Sequence, residues 1–288
     1  MKALKTIFII TIFVITAGVI AYFAGKRFGF FGEVGETVSD KITTQAFSTV
    51  RIDATIVNLS IEEGDEYAVE YTYPERLVPT VNVNGSTLEI KSKPQRGKAF
   101  INLNTGETAD MKTKLTIIVP EGTVFDDFEV KADAGNIVLD GYTFDGLDID
   151  CDAANVNIKS ITATRTVVDT DAGNIQISGS KLGDANLDAE AGNIEVDDTE
   201  AGDIKVDTEM GNIDLKSTTF GDGEFDSEMG RISIDGTFNK VKANNEMGAI
   251  SVDSDTIDDA ELDLNVSLGG ITVDGKSKGK SYKQSASK

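Results

Sequence analysis

A five-residue motif returns along the second half of the chain at almost constant spacing. DAGNI stands at Asp133–Ile137 and Asp171–Ile175, EAGNI at Glu190–Ile194 and EMGNI at Glu209–Ile213. The variants DAANV, EMGRI, EMGAI and SLGGI occupy Asp152–Val156, Glu228–Ile232, Glu246–Ile250 and Ser267–Ile271. Between the central residues (Gly135, Ala154, Gly173, Gly192, Gly211, Gly230, Gly248 and Gly269) the intervals are 19, 19, 19, 19, 19, 18 and 21. Units this short cannot bury an apolar face alone, so they fold by stacking on their neighbours.

Each unit reads as strand, tight turn, strand, turn. Ile204, Val206, Thr208 and Met210 alternate with Lys205, Asp207 and Glu209, and after the Gly211-Asn212 turn Ile213 and Leu215 alternate with Asp214 and Lys216. Period two is the signature of a strand with one buried face, and no 3.6-residue period is present. The expectation is an all-β solenoid, or β-helix, of 19-residue coils. At about 4.8 Å per coil, eight coils form a rod roughly 35–40 Å long.

Three columns follow from stacking in register. Ile137, Val156, Ile175, Ile194, Ile213, Ile232, Ile250 and Ile271 form an inward aliphatic ladder. Ala134, Ala153, Ala172, Ala191, Met210, Met229, Met247 and Leu268 precede the anchoring residue, and strict alternation places them in the core as well. The turns consist of Gly135, Gly173, Gly192, Gly211, Gly230 and Gly248, followed by Asn136, Asn155, Asn174, Asn193 and Asn212, whose side chains suit a hydrogen-bonded ladder. Low aromatic content (7 %) fits a core one side chain thick, and 28 Gly against 4 Pro fits many tight turns.

The chain has no His, which removes His-based triads and imidazole metal sites. Cys151 is its one Cys, too few for an intrachain disulfide or a Cys-type zinc site, and reads as a small buried apolar residue. No cofactor is expected.

Four regions are expected. Within residues 1–27, the uncharged run 6–25 is long enough to span a bilayer as a transmembrane helix and reads as a membrane anchor or signal segment. Cleavage after Ala21 stays open. Residues 28–43 read as a linker. Residues 44–275 form the solenoid domain, with irregular capping coils over 44–125 and regular repeats over 126–275. Residues 276–288, with five Lys and no acid, read as a basic disordered tail.

The formal net charge is −22. Outward acids fall in two columns. One is Asp150, Asp169, Asp188, Asp207 and Asp226; the other is Asp133, Asp152, Asp171, Glu190, Glu209, Glu228 and Glu246. Carboxylates one coil apart repel, and cations relieve the repulsion. Divalent cations and cationic peptides are therefore candidate partners, alongside cell-wall components and other envelope proteins. No nucleic-acid partner is expected. The Gly-rich nonapeptide calcium turn and the EF-hand loop are both absent.

The segment order comprises an N-terminal strand pair, Thr87–Ile90, the run Ile117–Thr123 (IIVPEGT), then repeated Ala-Gly-Asn-Ile. This order resembles the bacterial putative-adhesin family, a domain of unknown function common in Gram-positive genomes. The resemblance covers roughly residues 44–275. It implies a solenoid-like all-β fold, a surface location and no catalytic residues, and some members are linked to sensing envelope stress and cationic antimicrobial peptides.

The expected function is thus that of a non-enzymatic, single-pass membrane protein with its C-terminal domain outside the cell, acting in adhesion or envelope-stress sensing. Two alternatives stay open: a β-helix enzyme acting on wall polysaccharide, and an accessory subunit of a membrane sensor or transporter.

Overall fold

The computed structural model describes residues 36–92 and 113–286. The expected membrane helix and the first part of the linker lie outside the described residues. No α-helix occurs among those described, so no helix there is long and apolar enough to cross a membrane.

The chain enters through β1 (Thr37–Thr43), β2 (Thr49–Glu63), β3 (Ala68–Pro74), β4 (Thr80–Asn84), β5 (Thr87–Lys91) and β6 (Lys114–Val119). The regular coils comprise β7 (Val124–Asp140), β8 (Thr143–Lys159), β9 (Thr162–Ala172), β10 (Ile175–Ser178), β11 (Lys181–Ala191), β12 (Ile194–Asp197), β13 (Ile204–Met210), β14 (Ile213–Met229), β15 (Ile232–Asp253) and β16 (Glu261–Val273). β17 (Lys276–Gly279) and β18 (Ser281–Gln284) end the chain.

The coils are joined by parallel pairing. Ile137 pairs with Val156, Val156 with Ile175, Ile175 with Ile194, Ile194 with Ile213 and Ile213 with Ile232, each one coil apart. Every member of this ladder is at most 1 % exposed. Leu59 on β2 pairs with Ile137 and extends the column one coil toward the N-terminus. The β-solenoid expected from the 19-residue period is therefore the architecture observed.

Two kinds of corner bend each coil. The first is the Gly-Asn turn. A Cβ on Gly192 would sit 1.6 Å from the carbonyl oxygen of Gly173, one coil back, so the stack approaches too closely there for a side chain. The second corner has no conspicuous motif. Gly141, Ser160, Gly179, Asp198 and Ser217, spaced by 19, all adopt positive φ between 46° and 80°. The buried hydroxyls that follow secure it: Ser180, Thr199 and Thr218 donate to the carbonyls of Ser178, Asp197 and Lys216, each at 2.9 Å. Length changes in the repeat fall at this corner. The 18-residue step between β14 and β15 arises between Leu215 and Thr218, and the 21-residue step into β16 loops out the 3-10 turn Ile257–Asp259.

Three expectations need correction. The residue before each Gly is not a core position: Met210 is 51 % and Leu268 61 % exposed, Ala153 and Ala172 are exposed, and Met229 and Met247 are half-buried. Alternation holds only inside a strand. Between the inward Thr208 and the inward Ile213 lie four corner residues, and Met210 is carried around the outside of the bend. Residues 276–288 do not form a free tail as far as residue 286. β17 and β18 run antiparallel to β16, with Val273 opposite Lys276 and Leu264 opposite Tyr282. They cover the edge that the last coil would otherwise leave unpaired. Finally, Thr37–Thr43 of the expected linker forms β1, antiparallel to β3.

The opposite end is closed by a broken coil. β5 and β6 pair in parallel with the two halves of β2, β4 forms a hairpin with β5, and β3 backs β6 antiparallel. Aromatic side chains stack coil on coil in the core, Phe125 on Phe144 and Phe220 on Phe238.

Candidate functional site

Asp150, Asp169, Asp188, Asp207 and Asp226 occupy one register position on successive long strands. The position continues as Lys131 on the N-terminal side and as Asn244 and Asn265 on the other, so the acidic column has neutral or basic ends. Two residues further along each strand, just before the corner, comes the second column, Asp133, Asp152, Asp171, Glu190, Glu209, Glu228 and Glu246. Its members project into solvent, whereas Asp188, Asp207 and Asp226 are half-buried.

Between the two columns runs an open groove with a cavity volume of about 730 Å³. It brings together Asp169, Asp171, Asp188, Glu190, Asp207, Glu209, Asp226, Glu228 and Glu246. Asp133, Asp150 and Asp152 lie beyond its N-terminal end. Among the described residues Lys205 is the one cation lining it, and its Nζ is engaged by Asp207. Asn244 and Asn265 also line it; sequence reading passed over them because they interrupt the acidic pattern, although both keep its register.

Charge crowding marks these groups electrostatically. Glu190 is held above the usual carboxylate range chiefly by Asp171 and Glu209. Asp188 and Asp169 are raised first by partial burial and then by neighbouring acids, Asp169 and Asp207 around Asp188 and Asp150 and Asp171 around Asp169. Asp133 is raised by burial and by Asp152 and Asp53. Two residues earlier on the same strands the opposite holds: Lys242 draws Glu224 down, and Lys283 draws Asp263 down.

The groove distributes its charge along a line. Among the described residues no three acidic or thiol side chains converge as a cage for one metal ion. Cys151 takes no part, since it is 2 % exposed and burial pushes its thiol up to about 12. The Asn residues serve the fold. Asn174, Asn193 and Asn212 each donate backbone N–H to the Oδ1 of the Asn one coil back, at 2.9–3.1 Å. Asn58, outside the recognised repeat, starts the ladder by accepting from Asn136 at 2.9 Å.

A stack of parallel coils with a line of carboxylates along one side defines a β-solenoid domain. The chain belongs to the Toastrack DUF4097 family, whose model matches residues 47–288. Solved structures with the same fold include a putative adhesin from Bacteroides fragilis, 18 % identical, covering 83 % of this chain and 94 % of its own, with a TM-score of 0.51. A putative adhesin from Parabacteroides distasonis is 16 % identical over 83 % and 96 %, with a TM-score of 0.55. A putative lipid binding protein from the same organism is 18 % identical over 84 % and 96 %, with a TM-score of 0.53. At these identities the likeness is one of fold, and it reaches beyond Gram-positive bacteria. No curated protein matches the chain.

Proposed function

We propose that this chain is a non-catalytic, membrane-anchored protein that displays its solenoid outside the cell and binds extended cationic ligands along the acidic groove. Adhesion to cationic surface components and sensing of cationic envelope stressors are two uses of that one property. The observation that carries the reading is the row of nine carboxylates lining one groove, with Lys205 the one cation among the described residues there. A row matches a polycation better than a point charge, because each added positive group meets a fresh carboxylate about 4.8 Å further on. The family's adhesin-like relatives and the uncharged run 6–25 support the surface setting.

Binding of a fluorescent lysine oligomer tests the groove. The affinity is expected to fall steeply with salt. Neutralising Asp188, Glu190, Asp207 and Glu209 to their amides is expected to weaken it about tenfold, each exposed pair contributing up to ~1 kcal/mol. Neutralising Asp133, Asp140, Asp145 and Asp152 instead is expected to have little effect. Equal losses in both variants would show only non-specific attraction to a net-acidic rod. For the setting, protease added to intact cells is expected to degrade the solenoid; protection would overturn the surface assignment.

A further inference from the structure

The corner position before the anchoring Gly carries Ala134, Ala153, Ala172 and Ala191 in the earlier coils, then Met210, Met229 and Met247, then Leu268. Met210 pairs with Met229 and Met229 with Met247 in parallel register, and Met247 pairs with Leu268. These are all the methionines among the described residues. They stand on adjacent coils, about 4.8 Å apart at the backbone. They are at the surface, Met210 51 % exposed and the others half-buried.

Packing does not explain them. The same corner accepts Ala in four coils and exposed Leu268 in another, so the fold there requires neither length nor sulfur. Three adjacent thioethers, however, share a chemistry that Ala and Leu lack. Thioether sulfur is soft and polarisable, and selects soft monovalent ions such as Cu(I) over Ca²⁺ or Mg²⁺. Unbranched Met side chains, each with three rotatable bonds, can turn toward a common point from neighbouring coils. Each Met is preceded by an acid, Glu209, Glu228 and Glu246, which surrounds the column with negative potential.

We propose that Met210, Met229 and Met247 form a surface site for one soft monovalent metal ion, Cu(I) or its analogue Ag(I), held by three thioether sulfurs. The site is separate from the binding of polycations in the groove, and neither reading depends on the other.

The test is titration of the full-length chain, labelled with ¹³C at the Met ε-methyls, with Ag(I) in air and with Cu(I) under anaerobic reducing conditions. The expected result is one ion per chain. Three ε-methyl signals should shift, assigned to Met210, Met229 and Met247 by single Met→Leu variants, while those of Met1 and Met111 stay in place. Each single variant is expected to weaken binding at least tenfold, and the triple Met→Leu variant to abolish it. Leu268 already occupies this position, so these variants are expected to retain the wild-type circular dichroism and melting transition. The groove variant D188N/E190Q/D207N, which leaves the acids next to the three methionines in place, is expected to keep the ion. Undiminished binding in the triple variant would place the metal on carboxylates and overturn the proposal. So would shifts confined to Met1 and Met111, or no binding when a weak Cu(I) chelator competes.

Discussion

Asn193 donates its backbone N–H to the side-chain Oδ1 of Asn174, 19 residues earlier, at 2.9 Å, and its own Oδ1 receives the N–H of Asn212 at the same distance. One side chain thus satisfies a corner amide of the next coil while its backbone is satisfied by the last. Replacing Asn193 by Ala removes an acceptor in mid-ladder and is expected to cost about 1 kcal/mol, the usual contribution of a hydrogen bond of this kind. Asn193→Asp keeps the acceptor and is expected to cost less, apart from its added charge. Chemical denaturation of the two variants distinguishes them.

At Gly192 the corner is sterically closed. The Cβ of Gly192→Ala would meet the Gly173 carbonyl oxygen at 1.6 Å, and relief requires the coils to part. A loss of about 1–3 kcal/mol is expected, in the range of overpacked cores. Gly270→Ala, where a Cβ meets nothing within 4 Å, is the matched control and is expected to be near neutral. A melting temperature that falls equally in both would contradict the close approach.

The acidic groove predicts an unusual pH response. Asp169, Asp188 and Glu190 titrate above their ordinary values in the folded chain. The native state therefore holds more protons than the unfolded state in the window above the ordinary carboxylate pKa, and stability falls as pH rises through it. At low salt the melting temperature is expected to rise as pH is lowered from 7 to about 5. Glu224 and Asp263, drawn down by Lys242 and Lys283, act in the opposite sense, and their contribution is lost only at more acidic pH. Raising salt at pH 7 should reproduce part of the gain by screening the groove.

Among the described residues, two hydroxyls inside the stack lack hydrogen-bond partners: those of Thr166, fully buried, and Ser227, 5 % exposed. An unpartnered buried hydroxyl costs roughly 1–3 kcal/mol of desolvation. Thr166→Val and Ser227→Ala are therefore expected to be neutral or stabilising, by up to about 1 kcal/mol once the lost volume is counted. Clear destabilisation in calorimetry would reveal a bond, direct or through water, at those oxygens.

Much of this architecture was legible because repetition makes register visible. Once Ile175, Ile194 and Ile213 are seen 19 apart, their stacking and the outward course of Asp188, Glu190, Asp207 and Glu209 follow from period two alone. Period two breaks down at a bend. Met210 continues the alternation on paper and leaves the core in space. The second corner escaped notice because Gly141, Ser160, Gly179, Asp198 and Ser217 share a backbone conformation and not a residue type. The C-terminal lysines read as a tail because composition carries no record of an unpaired edge elsewhere, which β17 and β18 cover.

From sequence alone came the coil length, the identity of the inward ladder and the two acidic columns, since each depends only on spacing along a strand. The tertiary structure decided what lies between and around them: that the columns border one groove, that three methionines face outward side by side, and that both ends of the rod are closed. Those outcomes depend on the direction in which the backbone turns at each corner, and turning is governed by contacts between coils.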